Sequence, residues 1–157
     1  MHAEALSPDG KKTFSGELPS ITSEVLAMIA DLDYSDDKLK SIIERMDVSA
    51  DAKSLFYAIA KTTIRVGSAI VRIGRKIVDC VIKVFEEFPN AGMGLILGGI
   101  LGVLIGTIPI IGVALGALAT PLLSAYGMVL GLKQDVSDKA LIARMNRVNM
   151  EFNSLKG

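Results

Sequence analysis

From Phe88 to Leu132 the chain runs for 45 residues without one charged side chain. A stretch of that length must either lie in the core of a fold or sit in lipid. A membrane-spanning helix needs about 20 apolar residues, at 1.5 Å rise per residue across roughly 30 Å of hydrocarbon. Gly92–Ile108 and Ile110–Leu132 supply 17 and 23 residues, with Pro109 between them. Proline removes a backbone donor and disfavours helix in the residue before it, so Ile108–Pro109 is where the chain is expected to turn. The pattern predicts a helical hairpin with a nearly apolar tip, Thr107 to Gly112, that stops inside the far leaflet or barely crosses it. Pro121 should kink the second arm, with Thr120 available to satisfy a freed backbone group. The competing reading of the same block is a buried hairpin wrapped by the amphipathic helices of its own chain.

The flanks give the expected orientation. Arg72, Arg75, Lys76 and Lys83 precede the block, and Lys133, Lys139, Arg144 and Arg147 follow it. Two basic ends place both termini on the cytoplasmic side of an inner membrane, as an even number of crossings requires. A form that is soluble before insertion is compatible with the same pattern. The mean hydropathy of +0.46 agrees with residence in lipid.

Ten of the fifteen glycines lie between residues 92 and 131. Gly94, Gly98, Gly102 and Gly106 recur at a spacing of four, and Gly112 with Gly116 repeats it. Residues four apart share a helix face, so the first arm is expected to carry a groove of bare backbone, a glycine zipper. Between apolar helices in lipid, close approach through small residues is a main source of association. The two arms packing on each other and contact between copies, giving a homo-oligomer, both remain open.

The balanced total of 17 basic and 17 acidic residues conceals a polarised chain. Residues 1–50 sum to −5, residues 52–87 to +4, and residues 133–157 to +2. This divides the chain into an acidic helical head with a flexible leader (1–50), a basic amphipathic helix (51–88), the glycine-rich transmembrane hairpin (89–132) and a C-terminal amphipathic helix (133–157). In the head, Thr22 or Ser20, then Ser35 and Ser49, stand as helix N-caps. Plotted at 100° per residue, Lys61, Arg65, Arg72, Arg75, Lys76, Asp79, Lys83 and Glu87 fall on a narrow stripe. The stripe suits the interface plane of an anionic membrane, the centre of a helical bundle, or a pore wall. The opposite charges of head and stripe predict that the head can screen the stripe.

One cysteine, Cys80, and one histidine, His2, leave no material for a disulfide framework, a structural zinc site or a Cys-His or Ser-His catalytic pair. No phosphate loop is present, and the basic segment interleaves with aliphatic rather than stacking aromatic residues, which argues against nucleic acid. The expectation is a non-enzyme with no cofactor, no metal, no nucleic acid and no small-molecule substrate, whose partners are lipid and its own copies.

The fold class that follows is all-α: an integral membrane helical hairpin preceded by a long amphipathic helix, with small polar helices at both ends. Residues Ala91–Leu132, turning at Ile108-Pro109-Ile110 and led by a cationic amphipathic helix, resemble the hydrophobic hairpin of pore-forming colicins and related α-helical membrane toxins. In outline the block also resembles bacterial inclusion-membrane proteins. The resemblance implies an oligomeric, toxin- or effector-like protein that forms or gates a pore and permeabilises a membrane. The alternative expectation is a membrane-anchored scaffold whose head and tail helices recruit partners.

Overall fold

The computed structural model describes residues 1–7, 11–19, 21–116 and 139–156. It begins with strand β1 (His2–Leu6) and strand β2 (Thr13–Glu17). Helices α1 (Ser23–Ala30), α2 (Asp36–Arg45) and α3 (Ala50–Ala60) follow, then strands β3 (Thr63–Val66) and β4 (Ala69–Val71) and helix α4 (Ile73–Glu87). The uncharged block enters as α5 (Met93–Leu97), a π-helical turn (Gly98–Gly102) and α6 (Val103–Thr107). Residues 109–116 form α7. Helix α8 (Lys139–Glu151) and a 3-10 turn (Asn153–Leu155) complete the order.

The all-α expectation is corrected by an antiparallel four-stranded sheet in the order β2-β1-β3-β4. Ile64 pairs with Val71 and Val66 with Ala69, so β3 and β4 form a hairpin closed by Gly67 and Ser68. The residues of this hairpin, Thr63, Ile64, Val66, Ile70 and Val71, are mostly β-branched and suit a pleated surface. Gly67, at φ +61°, takes the left-handed position that a two-residue turn with glycine first requires. This turn cuts the expected 51–88 helix in two. A 100° plot cannot detect such a cut, because residues on either side of it still fall at acceptable angles. The β1 signal was hidden for another reason: its inward positions are Ala3 and Ala5, at 1% and 0% exposure, and alanine contributes little apolar alternation.

The membrane hairpin is corrected as well. Among the described residues no helix is long and apolar enough to cross a membrane. The first arm spans Met93 to Thr107 and stops at Ile108, whose backbone is extended at φ −117° and ψ 102°. Its large side chains Ile96, Leu97, Ile100, Leu101 and Leu104 are at most 1% exposed. They belong to the same core as Phe56, Ile77 and Phe152. The first arm is therefore consumed by a protein interior, as are Ile110, Ile111 and Leu115 of α7. The inner-membrane placement, with both termini cytoplasmic, depended on spanning helices and falls with them, as do the transmembrane, pore-forming and helical-hairpin descriptions. The remainder of the second arm, residues 117–132, and the start of the C-terminal segment lie outside the described residues.

Serine and threonine caps start the head helices: Thr22, Ser35 and Ser49 accept from the backbone N–H of Val25, Lys38 and Ala52. Helix α4 is the centre of the molecule and touches α1, α3, α5 and α8. Every residue from Ile73 to Ile82 is buried. Its first turn crosses the end of α3 so closely that a Cβ on Gly74 would stand 1.8 Å from the Ile59 carbonyl oxygen. On its far side α8 meets the π turn, where Asn149 Nδ2 donates to the Gly99 carbonyl at 3.0 Å. A π turn releases carbonyls from the regular helical ladder, and Asn149 satisfies one of them.

Candidate interaction groove

The charged side of α4 faces the acidic head rather than lipid or a pore. Asp79 is fully buried. Its two oxygens accept from the backbone N–H groups of Asp33 and Tyr34, both at 3.0 Å. Arg75, 2% exposed, reaches Asp79 at 3.3 Å, Asp36 at 2.9 Å and the Tyr34 carbonyl at 2.5 Å. Lys76 donates to the Asp31 carbonyl at 2.6 Å, and Lys83 pairs with Asp33 at 3.1 Å. Buried polar groups persist only when partnered, because an unpaired buried charge is strongly destabilising. Here α4 supplies charged groups and the 31–36 linker supplies matching backbone and carboxylate groups. The linker is thereby fixed, and with it the end of α1.

Strand β4 is positioned from the same helix, since only Arg72 separates Val71 from Ile73. Arg72 pairs with Asp36 at 3.5 Å, and Asp36 also accepts from Arg75. These guanidinium contacts hold the Asp36 carboxyl below its ordinary range, the Arg75 hydrogen bond contributing most. One network therefore sets both walls of a groove of about 400 Å³ between α1 and β4. Leu26, Ile29, Ala30 and Leu32 form one wall, and Ala69, Ile70, Val71 and Arg72 the other.

β4 is an outer strand of the sheet. In a two-residue hairpin the residues flanking the turn form the hydrogen-bonded pair, so the next residue, Ile70, directs its N–H and C=O away from β3. Its side chain is 61% exposed, and Leu26 across the groove is 38% exposed. The opposite edge differs: β2 carries Thr13, Ser15 and Glu17 at its exposed positions. Edges are usually blunted by charge or brevity. β4 is short, but it carries no charge before Arg72.

The structure divides the stripe that the sequence places on one helix face. Arg72, Arg75, Lys76, Asp79 and Lys83 gather around the 31–36 linker. Lys61 caps the C-terminus of α3, and Arg65 lies in β3, 3.8 Å from Glu4. Glu87 turns to α8, pairing with Arg144 at 2.6 Å. The glycines divide too. Gly112 abuts the Ile105 carbonyl oxygen, with 2.6 Å for an added Cβ. An added Cβ on Gly102, Gly106 or Gly116 would meet nothing within 4 Å among the described residues. Gly98 opens the π turn, Gly94 lies in α5, and Pro109 begins α7. Among the described residues the bulky side chains of the block face inward, Gly102 is half-buried, and Gly106 and Val103 are exposed.

Several contributors were invisible in the sequence. Asp33 and Asp36 read as ordinary surface acids of the head, and Ile70 as one aliphatic among many. The β-branched run on both sides of Gly67-Ser68 was the available signal for the edge strand. The groove contains no nucleophile and no paired acid and base, and no cluster of His, Cys, Asp or Glu among the described residues could hold a metal. Among the described residues, what the groove offers is apolar surface, one pair of backbone groups that bonds to no other strand and a guanidinium at its end. No family model, no curated protein and no solved structure matches this chain.

Proposed function

We propose that this chain is a binding module, not an enzyme, that accepts an extended segment of a partner protein along β4. The observation that carries this reading is the aliphatic open edge at Ile70 beside the α1–β4 groove. The segment adds as a fifth strand, bonding to the outward N–H and C=O of Ile70. Its alternate side chains, which point to one face, enter the groove over Leu26 and Ala30. The groove is apolar, so aliphatic residues suit those positions. Arg72 at its end, with a side chain 56% exposed, favours an acidic residue just beyond them. The area is small, so the interaction is a transient one. This keeps the recruiting half of the scaffold expectation and relocates it from helix surfaces to a sheet edge.

The test is a titration of isotope-labelled protein with a synthetic acetylated Val-Thr-Val-Glu peptide, followed by amide resonances. Shifts confined to residues 26–32 and 69–72, and abolished by Ile70→Lys, are the expected result. Unperturbed resonances, or shifts elsewhere, refute strand addition at β4. A concentration-dependent dimer that Ile70→Lys dissociates would replace the separate partner by a second copy.

A further inference from the structure

On the other side of α4 a second cavity, about 270 Å³, lies between the end of α1, the 31–34 linker, α4 and α8. Its lining includes Met28, Asp31, Lys76, Cys80 and Glu151, with Lys83 and Arg144 at the sides. The two flanking cations are already neutralised, Lys83 by Asp33 and Arg144 by Glu87. Lys76 is not. It is only 5% exposed, and among the described residues its ammonium makes one hydrogen bond, to the Asp31 carbonyl oxygen at 2.6 Å. No carboxylate lies within 4.0 Å of it among the described residues. That carbonyl belongs to the C-cap of α1, where a cation is mildly favourable. The contribution of such a dipole is a small fraction of what desolvating an ammonium costs. Capping α1 therefore does not account for a lysine so deeply placed.

Glu151 is the complementary case. It closes the cavity from α8 with no ion pair among the described residues, and its Oε2 accepts from the Cys80 thiol at 4.0 Å. Among the described residues the cavity thus has one cation without an ion pair in its interior and two carboxylates without one, Asp31 and Glu151, on its exposed rim. Met28 and the Cys80 sulfur supply the apolar wall between them. Its volume equals the share of about nine liquid water molecules and falls below the range typical of drug-sized ligands, so the occupant is a small molecule.

We propose that this cavity binds a small zwitterion of the free amino-acid class, with its carboxylate on the Lys76 ammonium and its ammonium toward Glu151. A simple anion would satisfy Lys76 but leave Glu151 beside added negative charge. A simple cation would leave Lys76 uncompensated. Only a ligand carrying both charges completes both ends. The inference is independent of strand addition at β4, since the two sites share no lining residue.

The test uses the full chain and free amino acids at about 10 mM, a concentration that saturates any site of millimolar affinity or better. Melting temperature and calorimetry are the readouts. At least one amino acid should raise the melting temperature and bind with a measurable constant. Its N-acetyl derivative, which lacks the ammonium, and its amide, which lacks the carboxylate, should each bind at least about tenfold more weakly. Lys76→Met keeps the length of the side chain and should lose binding. Glu151→Gln, isosteric and at the exposed rim, should weaken it by about tenfold without unfolding the protein. No response to any amino acid overturns the proposal, as does equal binding of the acetylated or amidated derivative, or unchanged affinity in a folded Glu151→Gln protein.

Discussion

Gly74→Ala tests the packing of α3 on α4, the contact that seats the central helix. An added methyl would lie 1.8 Å from the Ile59 carbonyl oxygen, 2.9 Å from that of Thr62 and 3.0 Å from the Ile59 carbonyl carbon. All three are backbone atoms and cannot swing aside. Relief requires the start of α4 to retreat by about 1.5 Å, since carbon rarely approaches a non-bonded atom closer than roughly 3.3 Å. The retreat stretches the hydrogen bond from Gly74 N–H to the Thr62 carbonyl, now 3.0 Å. Overpacking of this kind costs about 1–3 kcal/mol, and the hydrogen bond contributes about 1 kcal/mol more. Alanine returns roughly 0.5–1 kcal/mol through its better helix propensity. The expected net loss is about 1–3.5 kcal/mol, a sizeable part of the 5–15 kcal/mol typical of a folded domain. Urea unfolding followed by far-ultraviolet circular dichroism measures it as a lower midpoint at unchanged slope. A variant within about 0.5 kcal/mol of wild type would refute the close crossing of α3 and α4, because no such contact could then exist.

Four further outcomes are expected. Gly102→Ala, where the new methyl meets nothing within 4 Å among the described residues, should stabilise by about 0.5–1 kcal/mol through helix propensity; a loss in urea unfolding would mean that face is covered. Asp79→Ala strands the N–H groups of Asp33 and Tyr34 and removes one of the three partners of Arg75, and should cost about 2–4 kcal/mol; a cost below about 1 kcal/mol would show that the network does not hold the linker. The Asp36 carboxyl is depressed in the folded state, so its contribution is present at neutral pH and lost as pH falls through that depressed value. Wild type should therefore lose more stability than Asp36→Asn on acidification below about pH 4, and parallel curves would count against the Arg72 and Arg75 pairing. Burial pushes the Cys80 thiol up to about 12 from 9.0, so alkylation by iodoacetamide at pH 8 should run about a thousandfold slower than for free cysteine; reaction at the free rate would show the thiol to be exposed.

The sequence by itself determined the local elements whose signal needs only a few neighbouring residues. Thr22, Ser35 and Ser49 mark helix starts because a cap is a contact within one turn. Ile108-Pro109 marks a break because proline acts on the residue before it. The apolar spacing of Leu141, Met145 and Val148 on α8 follows from helix geometry alone, and all three are buried. The opposed charges of head and 52–87 segment also said that the two should meet, and Asp33, Asp36, Arg72, Arg75 and Lys83 do. What only the tertiary structure decided was the solvent of the uncharged block and the pairing of distant strands. Apolar side chains are equally content in lipid and in a protein core, so composition could not distinguish them; neighbours from α4 and α8 made the difference for Ile96, Leu97, Ile100 and Leu101. The sheet joins His2–Leu6 to Thr63–Val66 across nearly sixty residues, and such pairing leaves no mark in a local period. Both cavities arise the same way, from elements far apart in the chain, because a lysine or an isoleucine acquires an unusual environment only when other parts of the chain close around it.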